Sequence, residues 1–348
     1  MTGRIRAVPS RDADLVAGNT RLRARLRELV SGEQAEALAG RPLPDLAETL
    51  RGVGVTAGPA AGRVGEPTEA WRAELLAAVD TRRNGLLRAA AAAYQGAARG
   101  LVEALFDTED RADLVTLLRA AATATPAQAV LGAVHAVGRL DAAAMRDLVA
   151  GEPDAIVPRL LTARLPDPDT AAVLARAWER YTLHTDLAEL EATVAVAHAE
   201  ATRRRVAAMG VVGAPVAEHL ARQRDAVNLV AAVRLRGANP PPSVFLPAGH
   251  VPLHHLRAVA AGRDVAAVTP ARWRAAAAAA EPRGPEPLAR VLDDLIDAEA
   301  RHPSWRTEPL GARVPRAYVA LVHHEARALR LLVVLAPDRP DRPQRRSA

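Results

Sequence analysis

The sequence of 348 residues predicts an all-α protein in which one helical unit is used three times. Three observations predict it. Ala, Leu and Arg, all strong helix formers, dominate the composition, and no run alternates apolar and polar residues as a half-buried strand does. Apolar residues recur at steps of three, four and seven over long stretches, the period of a buried helix stripe. A glycine register, Gly40, Gly151 and Gly262, returns in two equal steps of 111 residues.

The elements follow in order. Asn19 and Arg25 open the chain with a polar landmark, an amide or acid followed six residues later by Arg. Leu29 stands eleven residues before Gly40. Trp71–Leu105 then carries a stripe of Leu75, Leu76, Val79, Leu86, Leu87, Leu101, Val102 and Leu105. The landmark returns at Asp113 and Arg119, with a further acid, Asp110, three residues earlier. Leu140 precedes Gly151 by eleven, and Ala171–Met209 is a second long periodic stretch. The third landmark is Asp225, Asn228 and Arg234, and Val251 precedes Gly262 by eleven. Each register glycine is followed by a charged residue (Arg41, Glu152, Arg263) and, six on, by an apolar one (Leu46, Val157, Val268). In the second and third copies another glycine, Gly138 or Gly249, stands thirteen residues before the register glycine. Leu288–Ile296 and Arg316–Leu335 form the last pair; there Glu325 takes the place of the acid and Val334 that of the Arg.

Breakers separate these stretches at Gly58–Pro59, Pro166–Pro168, Asn239–Pro242 and Pro282–Pro287. Each unit therefore reads as a landmark helix, a compact head around its glycine and a long antiparallel helix pair. The expected divisions are 1–120, 121–236 and 237–336, with 337–348 as a disordered tail. Asp110, Asp225 and Glu325 are expected in equivalent, partly buried places. An unpaired buried charge is costly, so Arg234 or its equivalent is the expected partner of such an acid.

Composition excludes several functions. All 46 basic residues are Arg, against 40 acids, for a net charge of +6. That excess is spread out, and Arg203–Arg205 and the tail Arg339–Arg346 read as solvated faces, so no nucleic-acid partner is expected. Zero Cys excludes disulfides, thiolate zinc sites and Cys nucleophiles, and nine aromatics are too few for base-stacking platforms. The apolar stretch Val206–Val216 is about half the ~20 residues of a membrane span. The first residues hold no apolar core of a secretory signal, and none is expected.

Few motifs suggest chemistry. Asp293-Asp294-Leu295-Ile296-Asp297 is a DDxxD pattern that sets Asp293 and Asp297 on one helix face, as needed to hold magnesium against a diphosphate. All-helical terpene cyclases use such a motif, but no second metal motif follows and the aromatics cannot line a carbocation pocket. His323-His324-Glu325 lacks the second His four residues after the first, since Ala328 follows His324 at that step. His254-His255 has no carboxylate nearby in sequence. Without Lys there is no phosphate-loop lysine, and no G-x-S-x-G elbow occurs. No catalytic, cofactor-binding or metal-binding residue is assigned.

An ordered set of segments resembles one known family. Ala17–Leu26 resembles its opening N-x-R-v-R helix, followed by a Leu-rich Ser-Gly-Glu turn at Leu29–Glu33. Asp110–Arg119 resembles its D-v-x-N-L-k-x-l-l-R segment, with Asp113 in place of the amide, and Arg224–Arg234 is the second and closer copy. Val244–Val251 resembles f-l-P-g-G-x-l, and Pro315–Leu329 the closing Y-l-x-x-k-E-x-E-i-x-n-l helix, with Ala328 in place of its amide. The set runs from about residue 14 to 336 and is similar to the C-type central-stalk family of the V/A-type rotary ATPases and ATP synthases, known as the d type in the eukaryotic vacuolar enzyme. The family's N-terminal run of tyrosines is missing.

The resemblance implies a non-catalytic central-stalk protein, without cofactor or small-molecule substrate. It implies a funnel of three similar helical domains about a pseudo-threefold axis. Such a protein is cytoplasmic and peripheral to the inner membrane face, where it couples the central shaft to the rotor ring for proton or sodium transport. The head segments around Gly40, Gly151 and Gly262 are the expected rim for one partner, and a cavity the expected seat of the shaft. The alternatives are a magnesium-dependent cyclase using Asp293 and Asp297, and a helical scaffold unconnected to rotary motors.

Overall fold

Strong helix formers and frequent Gly or Pro breaks give helices of uneven length. In the computed structural model, which describes residues 10–56, 68–308 and 310–338, the described residues form helices and no strand. The chain opens with α1 (Ser10–Arg25), a short α2 (Gly32–Glu36), α3 (Leu43–Gly52), a long α4 (Thr68–Ala92) and α5 (Gly96–Ala104). Next come α6 (Asp107–Thr123), three short helices α7 (Ala127–Ala133), α8 (Ala142–Val149) and α9 (Ile156–Ala163), and a packed hairpin of α10 (Pro168–His184) and α11 (Leu187–Ala207). The last group is α12 (Ala214–Arg234), α13 (Leu253–Ala260), α14 (Ala271–Ala280), α15 (Pro285–Ala300) and α16 (Arg313–Leu335). Among the described residues no helix is long and apolar enough to cross a membrane.

Local chemistry places the ends. Ser31 and Gln34 form a reciprocal capping box at the start of α2. The Asp141 side chain accepts from the Ala143 and Ala144 N–H groups at the start of α8, and Asp186 accepts from Glu189 N–H at the start of α11. All three register glycines lie just beyond a head helix with positive φ: Gly40 at +76°, Gly151 at +89° and Gly262 at +105°. A side chain is strained there, so glycine recurs for a backbone reason.

Both long periodic stretches are broken. Trp71–Leu105 divides into α4 and α5 because Tyr94 turns inward beneath α1, where its hydroxyl donates to Asn19 Oδ1 at 2.6 Å. Gly18 leaves the space for that ring; a Cβ there would come closer than 3.0 Å to it. Ala171–Met209 turns at Thr185, φ +55°, before the Asp186 cap. The Gly58–Pro59 breaker and Arg339–Ala348 of the expected tail lie outside the described residues. The first two residues of that tail are held: Pro337 O accepts from Leu43 N–H at 2.8 Å, and Asp338 pairs with Arg72 at 2.7 Å.

Four apolar clusters hold the chain together. α6 contributes Leu114, Leu117 and Leu118 to one, with Leu140, Leu148, Val157, Leu174 and Val194. α12 contributes Leu229 and Val230 to a second, with Leu256, Val259, Trp273, Leu288 and Leu292. A third joins Leu43, Leu46, Leu50, Leu75 and Val79 to Ala326, Leu329 and Val333 of α16. The last helix thus packs with the first head and with α4, which joins the early and late helices of the described residues. The fourth cluster draws on α1, α4, α5, α11, α12 and α16, with Leu22, Leu87, Leu101, Val206, Leu220 and Tyr318. Each fully buried leucine in these clusters stabilises by roughly 1.5–3 kcal/mol relative to an exposed one.

Candidate functional site

The polar landmarks sit where α6, α12 and α16 meet the head segments. Asp110, on α6, is buried and accepts from Arg139 N–H at 3.1 Å and Leu140 N–H at 3.2 Å. Asp113, one turn on, accepts from His135 N–H at 2.7 Å and Ala136 N–H at 2.8 Å. On α12, Asp225 accepts from Val251 N–H at 2.8 Å, and Asn228 bonds both the N–H (2.7 Å) and the carbonyl (2.9 Å) of Leu246. On α16, Glu325 accepts from Val30 N–H at 2.8 Å. Leu140 and Val251 are themselves register positions, and Val30 is the residue after the third, Leu29. Each acid therefore fixes the same stretch of its head.

The partner differs from the one expected. Among the described residues neither Asp110 nor Asp225 pairs with an Arg side chain; each is satisfied by backbone N–H groups of a turn that has no helical acceptors. The landmark arginines lie nine residues further along their helices, ~13 Å on at 1.5 Å per residue, out of reach. They bind the outer helices instead. Arg119 grips Glu191 of α11 at 2.7 and 2.8 Å, and Arg234 reaches Glu286 of α15 at 3.1 Å. In α16, with Val334 at the expected place, Arg330 pairs with Asp80 of α4 one turn earlier. Glu325 alone of the three acids adds an arginine, Arg82 at 2.9 Å, which also donates to the carbonyls of Val53 and Glu28. The first landmark does different work: Asn19 accepts from Tyr94 and donates to Gly311 O at 3.2 Å, and Arg25 pairs with Glu28 at 3.0 Å.

Burial sets the electrostatics of these acids. It pushes Asp110 up to about 7, helped by the neighbouring Asp113 and Asp107 and opposed by its two N–H donors. It also raises Asp225, opposed by the N–H groups of Val251 and His250.

A polar cavity of about 280 Å³ lies where α6, α12 and α16 converge, with α4 and α15 completing its wall. Glu109, Gln223, Asp293, His323 and Arg327 face it, and no aromatic residue is among the described residues that line it. His323 Nε2 stands 3.1 Å from Glu109 Oε1, linking α16 to α6. Burial raises the Glu109 carboxyl, but the contact and charge of His323, with Arg83, outweigh it and hold the group at about 2.

The DDxxD acids are on this wall. Arg327 binds Asp297, which is buried, and lies 3.2 Å from Asp294. Asp293 opens to the cavity; surrounding protein, with Asp297, pushes it up to about 6 against the pull of Arg327. Among the described residues no group of three or more His, Asp or Glu is placed to hold a metal ion. His323 and Glu325 point to separate partners, while His324 lines an apolar groove on another side. His254 and His255 pack edge to face, with ring centroids 4.2 Å apart.

One buried cluster escaped the sequence. His198 of α11 has Nε2 3.3 Å from Asp107 of α6 and Nδ1 3.9 Å from Asp167 at the start of α10. Arg111 and Arg224 stand 3.5 and 3.9 Å from Asp107, so the cluster joins α6, α11 and α12. Burial pulls His198 down to about 4, with Arg205 adding to it, although the two carboxylates oppose. These residues fall outside the register, and no spacing in the sequence marks them as one group.

The arrangement positions helices, and its charged groups are largely engaged with each other. No family model matches the chain, and no curated protein matches it either.

Proposed function

We propose that the chain is a non-catalytic central-stalk component of a V/A-type rotary ATPase, joining the central shaft to the membrane rotor ring. One observation carries the reading. Asp110, Asp225 and Glu325 each clamp the register segment of a head, and the third clamp is closed by the last helix of the chain on its first head. Three like units that close on each other about a shared core suit a pseudo-threefold funnel better than an open scaffold with capped ends. A torque coupler needs stiffness and broad faces. Buried clamps and four apolar clusters supply stiffness without chemistry.

The shaft is read as resting on the face where α6, α12 and α16 converge. It does not enter the cavity there: a three-turn piece of one helix, about 16 Å long and 10 Å across, occupies ~1,300 Å³, several times the cavity's 280 Å³. The heads around Gly40, Gly151 and Gly262 are the candidate rim for ring contacts.

The test is a mild-detergent pull-down from the source cell with the tagged full chain. Shaft and ring proteins are the expected captures, and deletion of the chain is expected to leave a head that hydrolyses ATP without pumping ions. An intact, ion-pumping rotary complex in the deletion strain overturns the proposal.

A further inference from the structure

Two apolar grooves adjoin along α16. The first, about 620 Å³, is lined by Leu26, Leu29, Trp305 and Leu321; the second, about 310 Å³, by Ala35, Ala39, Ala328, Leu332 and Leu335. Gly32 and His324 line both, so the two grooves adjoin there. From Leu321 to Leu335 the groove follows α16 for fourteen residues, ~21 Å or about four helical turns. Its wall holds large apolar side chains that a monomer usually covers: Leu331 is 58% exposed and Leu335 69%.

The free charges around the groove are polarised. At the α2 end Glu33 and Glu36 are exposed and in no ion pair among the described residues, Glu36 is part of the wall, and Arg41, beside Gly40, is an exposed cation near them in sequence. At the other end Arg306 is exposed, sits 5.7 Å from the centre of the Trp305 ring, and has no carboxylate partner among the described residues. Arg327 and Arg330 of α16 are already paired with Asp294, Asp297 and Asp80. The chain's own last ten residues, Arg339–Ala348, contain no Leu, Ile, Val, Met or aromatic that could fill an apolar floor.

We infer that this groove docks an amphipathic helix of a partner protein, antiparallel to α16, with Arg or Lys flanking its first turns beside Glu33 and Glu36 and an acid in its last turn beside Arg306. The apolar stripe supplies affinity and the charges set direction. The direction also agrees with the helix dipole, whose positive end lies beside the two glutamates. The inference stands whether or not the chain works in a rotary motor.

The test uses the full chain and a labelled 18-residue peptide with Leu at alternating steps of three and four, Arg in its first two turns and Glu in its last. Fluorescence anisotropy is expected to show saturable binding that falls at least tenfold in Leu331→Glu and in Ala39→Glu, both at exposed positions on opposite walls. Glu36→Arg is expected to shift preference to the peptide with reversed charge order, and a peptide with Gln for Leu is expected not to bind. Absence of binding, binding unchanged in both groove variants, or indifference to charge order overturns the inference. So does a self-covered groove, seen as affinity rising more than tenfold when residues 1–9 or 339–348 are removed. A dimer in sedimentation that Leu331→Glu dissolves also overturns it, since the occupant is then a second copy.

Discussion

Asp110 and Gly138 share one volume: the carboxylate lies where a side chain at 138 would be, and a Cβ there would stand closer than 3.0 Å to both of its oxygens. Asp225 and Gly249 repeat the relationship. The glycines thirteen residues before Gly151 and Gly262 are therefore needed so that a buried acid can reach the head backbone.

Gly138→Ala and Gly249→Ala are each expected to destabilise by about 2–3 kcal/mol, because overpacking displaces a buried carboxylate from its N–H donors. Gly132, inside α7 with nothing within 4 Å of its added Cβ, is the control. Gly132→Ala is expected to be neutral or to stabilise by up to about 1 kcal/mol. Urea midpoints decide; equal effects at 132 and 138 would dismiss the shared-volume account.

Arg82 and Arg119 separate buried from exposed pairing. Arg82 is largely buried, pairs with buried Glu325 and donates to two carbonyls. Arg119 and Glu191 are well paired but Arg119 is 61% exposed. Arg82→Ala is expected to cost about 3 kcal/mol or more, leaving a buried carboxylate uncompensated. Arg119→Ala is expected to cost less than about 1 kcal/mol. Chemical denaturation of both variants tests the order, and a reversed order contradicts the assignment of Glu325 as the clamp of the first head.

The helical class was legible because composition and period agreed along the whole chain, and the glycine register was legible because positive φ leaves glycine little competition. The acids at 110, 225 and 325 were legible as a set, but their partners were not. A carboxylate's demand for donors can be met by any turn with spare N–H groups, and such groups carry no side-chain signature. The breaks at Tyr94 and Thr185 were hidden for a related reason. Each keeps the apolar period going across a change of direction: at Tyr94 a ring seats against Gly18, a tertiary event, beside positive-φ Gly96, while at Thr185 the turn is local, a positive φ followed by the Asp186 cap. His198 was invisible because its neighbours Asp107 and Asp167 come from two other helices.

Magnesium provides a direct check on the DDxxD acids. Arg327 holds Asp294 and Asp297, leaving Asp293 alone toward the cavity. A single carboxylate binds magnesium weakly, so millimolar magnesium is expected to leave the melting temperature unchanged within about 2 °C. A larger rise that disappears in Asp293→Ala would revive the cyclase reading, and product released from a prenyl diphosphate would establish it.

Acid sensitivity is the prediction that the buried histidines make. His198 ordinarily titrates near 6.5 but is held at about 4 in the folded chain, and His219 at about 3. Between those values and 6.5 the unfolded chain binds more protons than the folded one, so stability falls as pH drops through that window. For His198 the span is about 2.5 units, or ~3 kcal/mol between pH 6.5 and 4. Asp110 and Asp293 act in the opposite sense, because their raised values make the folded chain bind more protons above the ordinary carboxylate range. The whole-protein slope is thus a partial cancellation, and a difference between variants isolates each group. His198→Gln keeps a polar side chain of similar size without the titration. Its urea midpoint is expected to fall less than that of the parent chain on going from pH 6.5 to 4.5, and the same loss of slope is expected in His219→Gln. Parallel profiles for parent and His198→Gln would mean that His198 takes up its proton equally in the folded and unfolded chain, the pull of Asp107 and Asp167 then fully offsetting burial.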